Sequence, residues 1–105
     1  MIDVIYNKAE QRSVALDQGV EIGECTYADD GQTWVINHTF VNPQYGGQGI
    51  AKRLVDVLIH EARVAVVRVA ATCSYALHLF SKTPDYHDVV VSSSKKDWLT
   101  SSLDT

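Results

Sequence analysis

The sequence predicts a mixed α+β fold, with antiparallel N-terminal strands leading into a βαβ unit. Three observations predict it. Short apolar runs separated by Gly- and Asp-containing turns occupy the first part of the chain. Apolar residues then recur at Ile50, Leu54, Val57, Leu58 and Ala62, which is helical spacing. The Val-rich run Val64–Ala71 follows, as expected of a strand covered on both faces. Strand, helix and strand at this spacing make a right-handed crossover, so the two strands run parallel.

The elements follow in order. Residues 2–6 are apolar and short, a lead-in strand. Arg12–Asp17 alternates weakly, with Val14 and Leu16 on one face. Asp17-Gln-Gly19 is a turn signal, and Val20–Ala28 is the next strand. Asp29-Asp-Gly31 then reads as a hairpin loop. The strand from Gln32 to Val41 puts Trp34, Ile36, His38 and Phe40 on one side. Val35, Asn37, Thr39 and Val41 fall on the other. Asn42-Pro43 ends it, and a helix is expected from Gly47 or Gln48 to Arg63, with Lys52 and Asp56 spaced for an i,i+4 pair. After Cys73, Ser74–Ser81 reads as a short helix with Leu77 and Phe80 facing inward, and Pro84 interrupts it or starts a new turn.

At 105 residues the chain is read as one domain over residues 1–91, followed by a polar C-terminal tail at 92–105. Trp98 and Leu99 are the tail residues that could dock back onto it. Net charge is −4, which argues against broad nucleic-acid binding, since that needs a basic face. Cys25 and Cys73 lie far apart in sequence and make neither a disulfide framework nor a CxxC pair. With the four histidines they show no metal-ligand spacing, so no zinc site is expected. The N-terminus lacks the basic and apolar regions of a signal peptide, and no run is long enough to span a membrane. A cytoplasmic protein is expected. The alternating strand before Asp29 could leave an open sheet edge, so a dimer stays possible in principle and the oligomeric state stays open.

The stretch Gln44-Tyr-Gly-Gly-Gln-Gly-Ile-Ala51 lies between the strand and the helix. A glycine-rich turn into a helix exposes N–H groups with no partner inside it, at the positive end of the helix dipole. Such a turn suits a phosphate. Two familiar phosphate motifs fail. A P-loop needs Lys-Ser or Lys-Thr after its last glycine, whereas Gly49 is followed by Ile-Ala-Lys-Arg. The dinucleotide fingerprint needs a small residue three places after Gly49, where Lys52 stands.

Gln44, Gly47 and Gly49 do satisfy Gln-x-x-Gly-x-Gly. This resembles the pyrophosphate loop of the GNAT superfamily of acetyl-CoA-dependent acyltransferases. The surroundings agree: His38-Thr39-Phe40-Val41 before it, Gly-Ile-Ala and a Leu/Val helix after it, then Cys73-Ser-Tyr75 and Pro84-Asp85-Tyr86. The resemblance is to the very small single-domain members with a cysteine after the last core strand, and covers roughly residues 5–90. It implies a parallel strand pair that splays apart, with the pantetheine arm of acetyl-CoA in the gap against the backbone of Phe40 and Val41. The implied cofactor-binding set is Phe40, Val41, Gln44, Gly46, Gly47, Gln48, Gly49, Ile50, Ala51 and Lys52. Lys52 or Arg53 could meet an outer phosphate. The implied activity is N-acetyl transfer to an amine that the sequence does not identify.

Cys73 by itself could be a small core hydrophobe. Its place at the C-terminal end of a parallel strand, where ligand chemistry gathers, makes it the candidate catalytic group. The helix that follows could lower its pKa. His38 would ordinarily be a satisfied core residue. It matches a His-Thr step of the small members, so it is the candidate base or orienting group. Cys25 is read as packing. Larger members carry a tyrosine where this chain has Phe80, and have N-terminal helices walling the acceptor side. Those two departures keep a second reading open: a non-catalytic acyl-CoA-binding or protein-interaction module.

Overall fold

The computed structural model describes residues 1–91. The order is β1 (Ile2–Asn7), β2 (Arg12–Asp17), β3 (Val20–Asp29), β4 (Thr33–Val41), α1 (Ile50–Ala65), β5 (Arg68–Ala71) and α2 (Ser74–Lys82). Short 3-10 turns lie at Pro43–Tyr45 and Pro84–Tyr86. The five strands form one sheet in sequence order, antiparallel through β4 and parallel between β4 and β5. This is the expected α+β architecture with its β4–α1–β5 crossover. A parallel bridge from Val69 to Val90 covers part of the β5 edge. The docking expected of Trp98 and Leu99 lies outside the described residues.

The β3–β4 hairpin closes where Asp29-Asp-Gly31 predicts. Asp29 Oδ1 accepts from the Gly31 N–H at 2.8 Å, and Asp30 Oδ1 from those of Gln32 and Thr33 at 2.9 and 2.7 Å. These Asx contacts satisfy the donors that the turn removes from the sheet. Helix α1 lays Ile50, Leu54, Val55, Leu58, Ile59 and Ala62 on the sheet. The fully buried Ser13 hydroxyl donates to the Leu54 carbonyl at 2.8 Å, so this polar side chain under the helix is satisfied. Tyr27 stacks on Trp34 with ring centroids 4.3 Å apart and closes the far end of the core.

Four expectations need correction. The helix starts at Ile50, not at Gly47 or Gln48, because Gly47 (φ 78°) and Gly49 (φ 74°) are left-handed and cannot continue a right-handed helix backwards. The run Val64–Ala71 is not one strand. Val64 and Ala65 finish α1, and β5 holds only Arg68–Ala71, of which Val69 alone is fully buried. A short apolar run fits either element, and here the helix's hydrogen bonds win. In α2, Leu77 points outward at 44 % exposure, while Ala76, Leu79 and Phe80 are buried. That inward stripe is the one whose i,i+3,i+4 spacing faces the sheet.

The fourth correction concerns β4. Thr26 pairs with His38 and Tyr27 with Ile36, so Asn37 is an extra residue, a β-bulge. Alternation resets across a bulge. Trp34 and Ile36 face the core, but His38 and Phe40 turn to the exposed side and Thr39 turns in. His38 therefore does not share a face with Trp34 and Ile36.

Helix α1 ends in a Schellman pattern: the Val66 N–H donates to the Arg63 carbonyl and the Val67 N–H to that of Ala62. Val66 occupies the left-handed position (φ 58°) at 89 % exposure. A β-branched residue is strained there and gains no packing. Val66→Gly is expected to stabilise the fold by about 1 kcal/mol, raising Tm by roughly 5 °C. An unchanged or lower melting temperature would contradict this.

Candidate active site

The parallel pairing of β4 and β5 stops at Ile36 and Ala71. The N–H groups of Thr72 and Cys73 both reach the Ile36 carbonyl, at 2.9 and 3.3 Å, and the chain then turns into α2. Beyond Ile36, β5 has ended and α2 takes its place in the chain. Residues 37–41 of β4 keep β3 on one edge and have no β5 partner on the other. The open edge of β4 starts beside Cys73, whose N–H reaches the Ile36 carbonyl, and leads to the glycine loop that follows Val41. An extended ligand can pair with an open strand edge as an added strand would.

The loop is held from both sides. Asn42 Oδ1 accepts from the Gln44 N–H at 2.9 Å, and the Tyr45 hydroxyl donates to Asp17 Oδ2 at 2.6 Å. The first intrahelical bond of α1 runs from the Arg53 N–H to the Gly49 carbonyl. The N–H groups of Ile50, Ala51 and Lys52 therefore precede the ladder and are free for an anion. No acidic side chain occupies the first turn to compete for them. A cavity of about 210 Å³ opens here, lined by Val41, Tyr45, Gly46, Gly47, Gly49, Ile50, Ala51 and Tyr75. Of the ten residues expected to hold the cofactor, Val41, Gly46, Gly47, Gly49, Ile50 and Ala51 line it. Gln44, Gln48, Phe40 and Lys52 do not, and Phe40 is half exposed on the other side of β4.

Lys52 is engaged elsewhere. Its ammonium lies 3.0 Å from Asp56 Oδ2 and 5.8 Å from the centre of the Tyr86 ring. The buried Tyr86 hydroxyl also bonds Asp56, and burial together with that carboxylate pushes its pKa far up. Arg53 Nη2 donates to the Ile2 carbonyl at 3.1 Å.

Cys73 is half-buried and occupies the N-cap of α2. Its partial burial pushes the thiol up. The N–H of Ala76, the Thr39 hydroxyl and the N–H groups of Tyr75 and Thr39 outweigh that, and the net pKa lies below the ordinary thiol value. A helix N-terminus stabilises a thiolate in this way. Cys25 behaves oppositely: it is fully buried, and desolvation pushes it up to about 11 despite a contact with Thr39. The two thiols thus shift in opposite directions, Cys73 downward and Cys25 upward.

His38 does not contact Cys73. Its Nε2 lies 3.5 Å from Glu24 Oε2 on the exposed side of β4, and Arg12 binds the same Glu24 at 2.9 Å. Phe80 is buried edge-on against Tyr86 and offers no proton. Tyr75 lines the cavity from the first turn of α2. Two residues here were not singled out from sequence as site groups. Simple alternation puts Thr39 on the face opposite Trp34 and Ile36, because the bulge gives no local sequence signal. Glu24 had no motif around it.

Among the described residues no group of three or more His, Cys, Asp or Glu side chains could hold a metal, and no helix is long and apolar enough to cross a membrane.

The comparisons fit this geometry. A family model for GCN5-related N-acetyl-transferases matches residues 12–89. A GCN5-like protein from Staphylococcus aureus, solved by NMR, is 28% identical with a TM-score of 0.71, covering 90% of this chain and 93% of its own. A GNAT-family acetyltransferase from Elizabethkingia anophelis, solved with acetyl-CoA bound, shares the fold at 22% identity and TM-score 0.56, over 68% of this chain and 50% of that one. An N-acetylglutamate synthase from Neisseria gonorrhoeae, solved with coenzyme A and N-acetyl-glutamate, does so at 17% identity and TM-score 0.59, over 75% and 21%. The chain thus spans half or less of the length of these two larger proteins. A search of curated proteins gives no match.

Proposed function

The chain belongs to the GCN5-related N-acetyltransferase family, and on that premise we propose that it moves an acetyl group from acetyl-CoA to an amine, with Cys73 as the acetyl carrier. The observation that carries this reading is the open β4 edge beyond Ile36, with free helix N–H groups at the glycine loop and Cys73 where the β4–β5 pairing ends. The pyrophosphate of acetyl-CoA would rest on the N–H groups of Ile50 and Ala51, with Gly46, Gly47 and Gly49 allowing the close approach. The pantetheine arm would pair with the open edge of β4 near Phe40 and Val41. Gln44, Gln48 and Lys52 remain in the proposed binding set as residues that shape the loop, and Lys52 would reach a phosphate only by leaving Asp56.

The chemistry has two steps. The Cys73 thiolate attacks the thioester carbonyl, the carbon–sulfur bond to CoA breaks, and CoA leaves as a thiolate. The amine then attacks acetyl-Cys73, forming the amide and returning the Cys73 thiolate. The amine's proton leaves to solvent water, and His38, across β4 from Cys73 and beside Glu24, is proposed as its acceptor only by way of that water. A lone acidified thiol needs no separate proton donor for the first step, because the CoA thiolate is itself a stable leaving group. The buried Phe80 is consistent with that route.

Initial-rate kinetics with varied acetyl-CoA and amine test it. Parallel double-reciprocal lines are expected, as for a ping-pong route. Intersecting lines would mean direct transfer. Saturable CoA binding with no transfer to any amine would support the non-catalytic binding module instead.

A further inference from the structure

Thr39 lies between the two cysteines. Its Oγ1 is 3.6 Å from the Cys73 sulfur and 3.5 Å from that of Cys25, both within hydrogen-bonding reach for sulfur. It is there because of the bulge at Asn37, which turns Thr39 to the core side opposite Cys25, its β3 partner. A hydroxyl has one proton to donate and can accept two. Cys25 is fully buried, with no solvent to serve its S–H.

We propose that Thr39 is the positioning residue for Cys73, the centre of a chain in which the Cys25 S–H donates to the Thr39 hydroxyl and that hydroxyl donates to the Cys73 sulfur. With Cys73 protonated, the direction reverses: its S–H donates to Thr39. Ionising Cys73 frees the hydroxyl proton to turn towards the thiolate, and Cys25 replaces the donor that Thr39 loses. Each bond polarises the next. The second cysteine, a packing residue by sequence, then has a chemical part that needs it buried and neutral. The titratable groups facing Cys73 are Cys25 from β3 and Tyr75 from α2, and Tyr75 in turn feels Lys52 and Asp56 from α1.

This inference concerns the thiol that the proposed function uses as acetyl carrier, and the test separates the two readings. The rate of Cys73 alkylation by iodoacetamide is followed against pH on the full chain, with mass spectrometry locating the adduct and a melting curve confirming the fold. Thr39→Val, which keeps the shape and removes the hydroxyl, is expected to raise the midpoint by about one pH unit. Alkylation at neutral pH should slow by roughly three- to ten-fold, since the rarer thiolate is also a better nucleophile. Thr39→Ser should restore the wild-type profile, and Cys25→Ala should move the midpoint the same way by less. If Thr39→Val does not fold, Thr39→Ala carries the same expectation. An unmoved midpoint in folded Thr39→Val or Thr39→Ala, or in Cys25→Ala, or serine failing like valine, overturns the chain. The expected shifts in a protein that takes up no acetyl group would uphold the chain and sink the acetyl-carrier reading.

Discussion

Cys73→Ala is expected to lower kcat/KM for acetyl transfer at least about a thousand-fold, on the order of 4 kcal/mol of transition-state stabilisation. CoA affinity should stay within about two-fold, because the free N–H groups and the open β4 edge that would hold the cosubstrate are untouched. The split between the two readouts is the informative part. Cys73 is half-buried at the N-cap of a nine-residue helix, so removing one sulfur there leaves the core intact. A variant that keeps substantial transfer would mean that the amine attacks acetyl-CoA directly. One that loses affinity and activity together would mean that the thiol shapes the gap instead of reacting in it. The rate should also rise with pH as the thiol ionises, with a midpoint below the ordinary thiol value, the direction its hydrogen bonds impose.

Gly49→Val carries the second large effect, this time on binding. Gly49 caps α1 at φ 74°, and nothing lies within 4 Å of where a Cβ would stand. The cost is therefore conformational, not steric: a β-branched residue in that region is strained by about 1–3 kcal/mol. The free loop relieves the strain by leaving the left-handed region, which swings the N–H groups of Ile50 and Ala51 away from a common point. Binding must restore the strained form, so the Kd for CoA should rise about ten- to thirty-fold. The matched control is Gly31→Val, at φ 97° in the β3–β4 hairpin at the opposite end of β4. It carries similar strain and should leave the Kd unchanged. Equal weakening in both variants, or none in Gly49→Val, would remove the loop from the binding site.

Much of this arrangement is readable in the chain. The period of Ile50, Leu54, Leu58 and Ala62 marks the buried face of α1 because a helix on a sheet has only one face to hide. Asp29-Asp-Gly31 marks the hairpin because its side chains supply the bonds that the turn needs. Gly47 and Gly49 mark the loop because few other residues accept that backbone. What is not readable is long-range. Nothing near Asn37 signals a bulge, since the extra residue is defined only against Thr26 and Tyr27 on the neighbouring strand. That single insertion moves His38 out and Thr39 in, and so decides which side chains can meet Cys73. The run Val64–Ala71 misleads for a related reason. Its valines favour a strand locally, while the α1 hydrogen bonds carry the helix through Ala65. Lys52 pairs with Asp56 as the i,i+4 spacing predicts, whereas only the fold brings the Tyr86 ring to it.

On the proposed route acetyl-CoA binds along the open β4 edge and leaves its acetyl group on Cys73. Intact-protein mass spectrometry after incubation with acetyl-CoA and no amine tests it most directly, beside Cys73→Ala and a thermal-shift titration with CoA. Stabilisation by CoA is expected, with a gain of one acetyl group that Cys73→Ala abolishes. Stabilisation with no adduct would contradict the carrier role of Cys73. No stabilisation at CoA well above micromolar levels would contradict the cosubstrate itself.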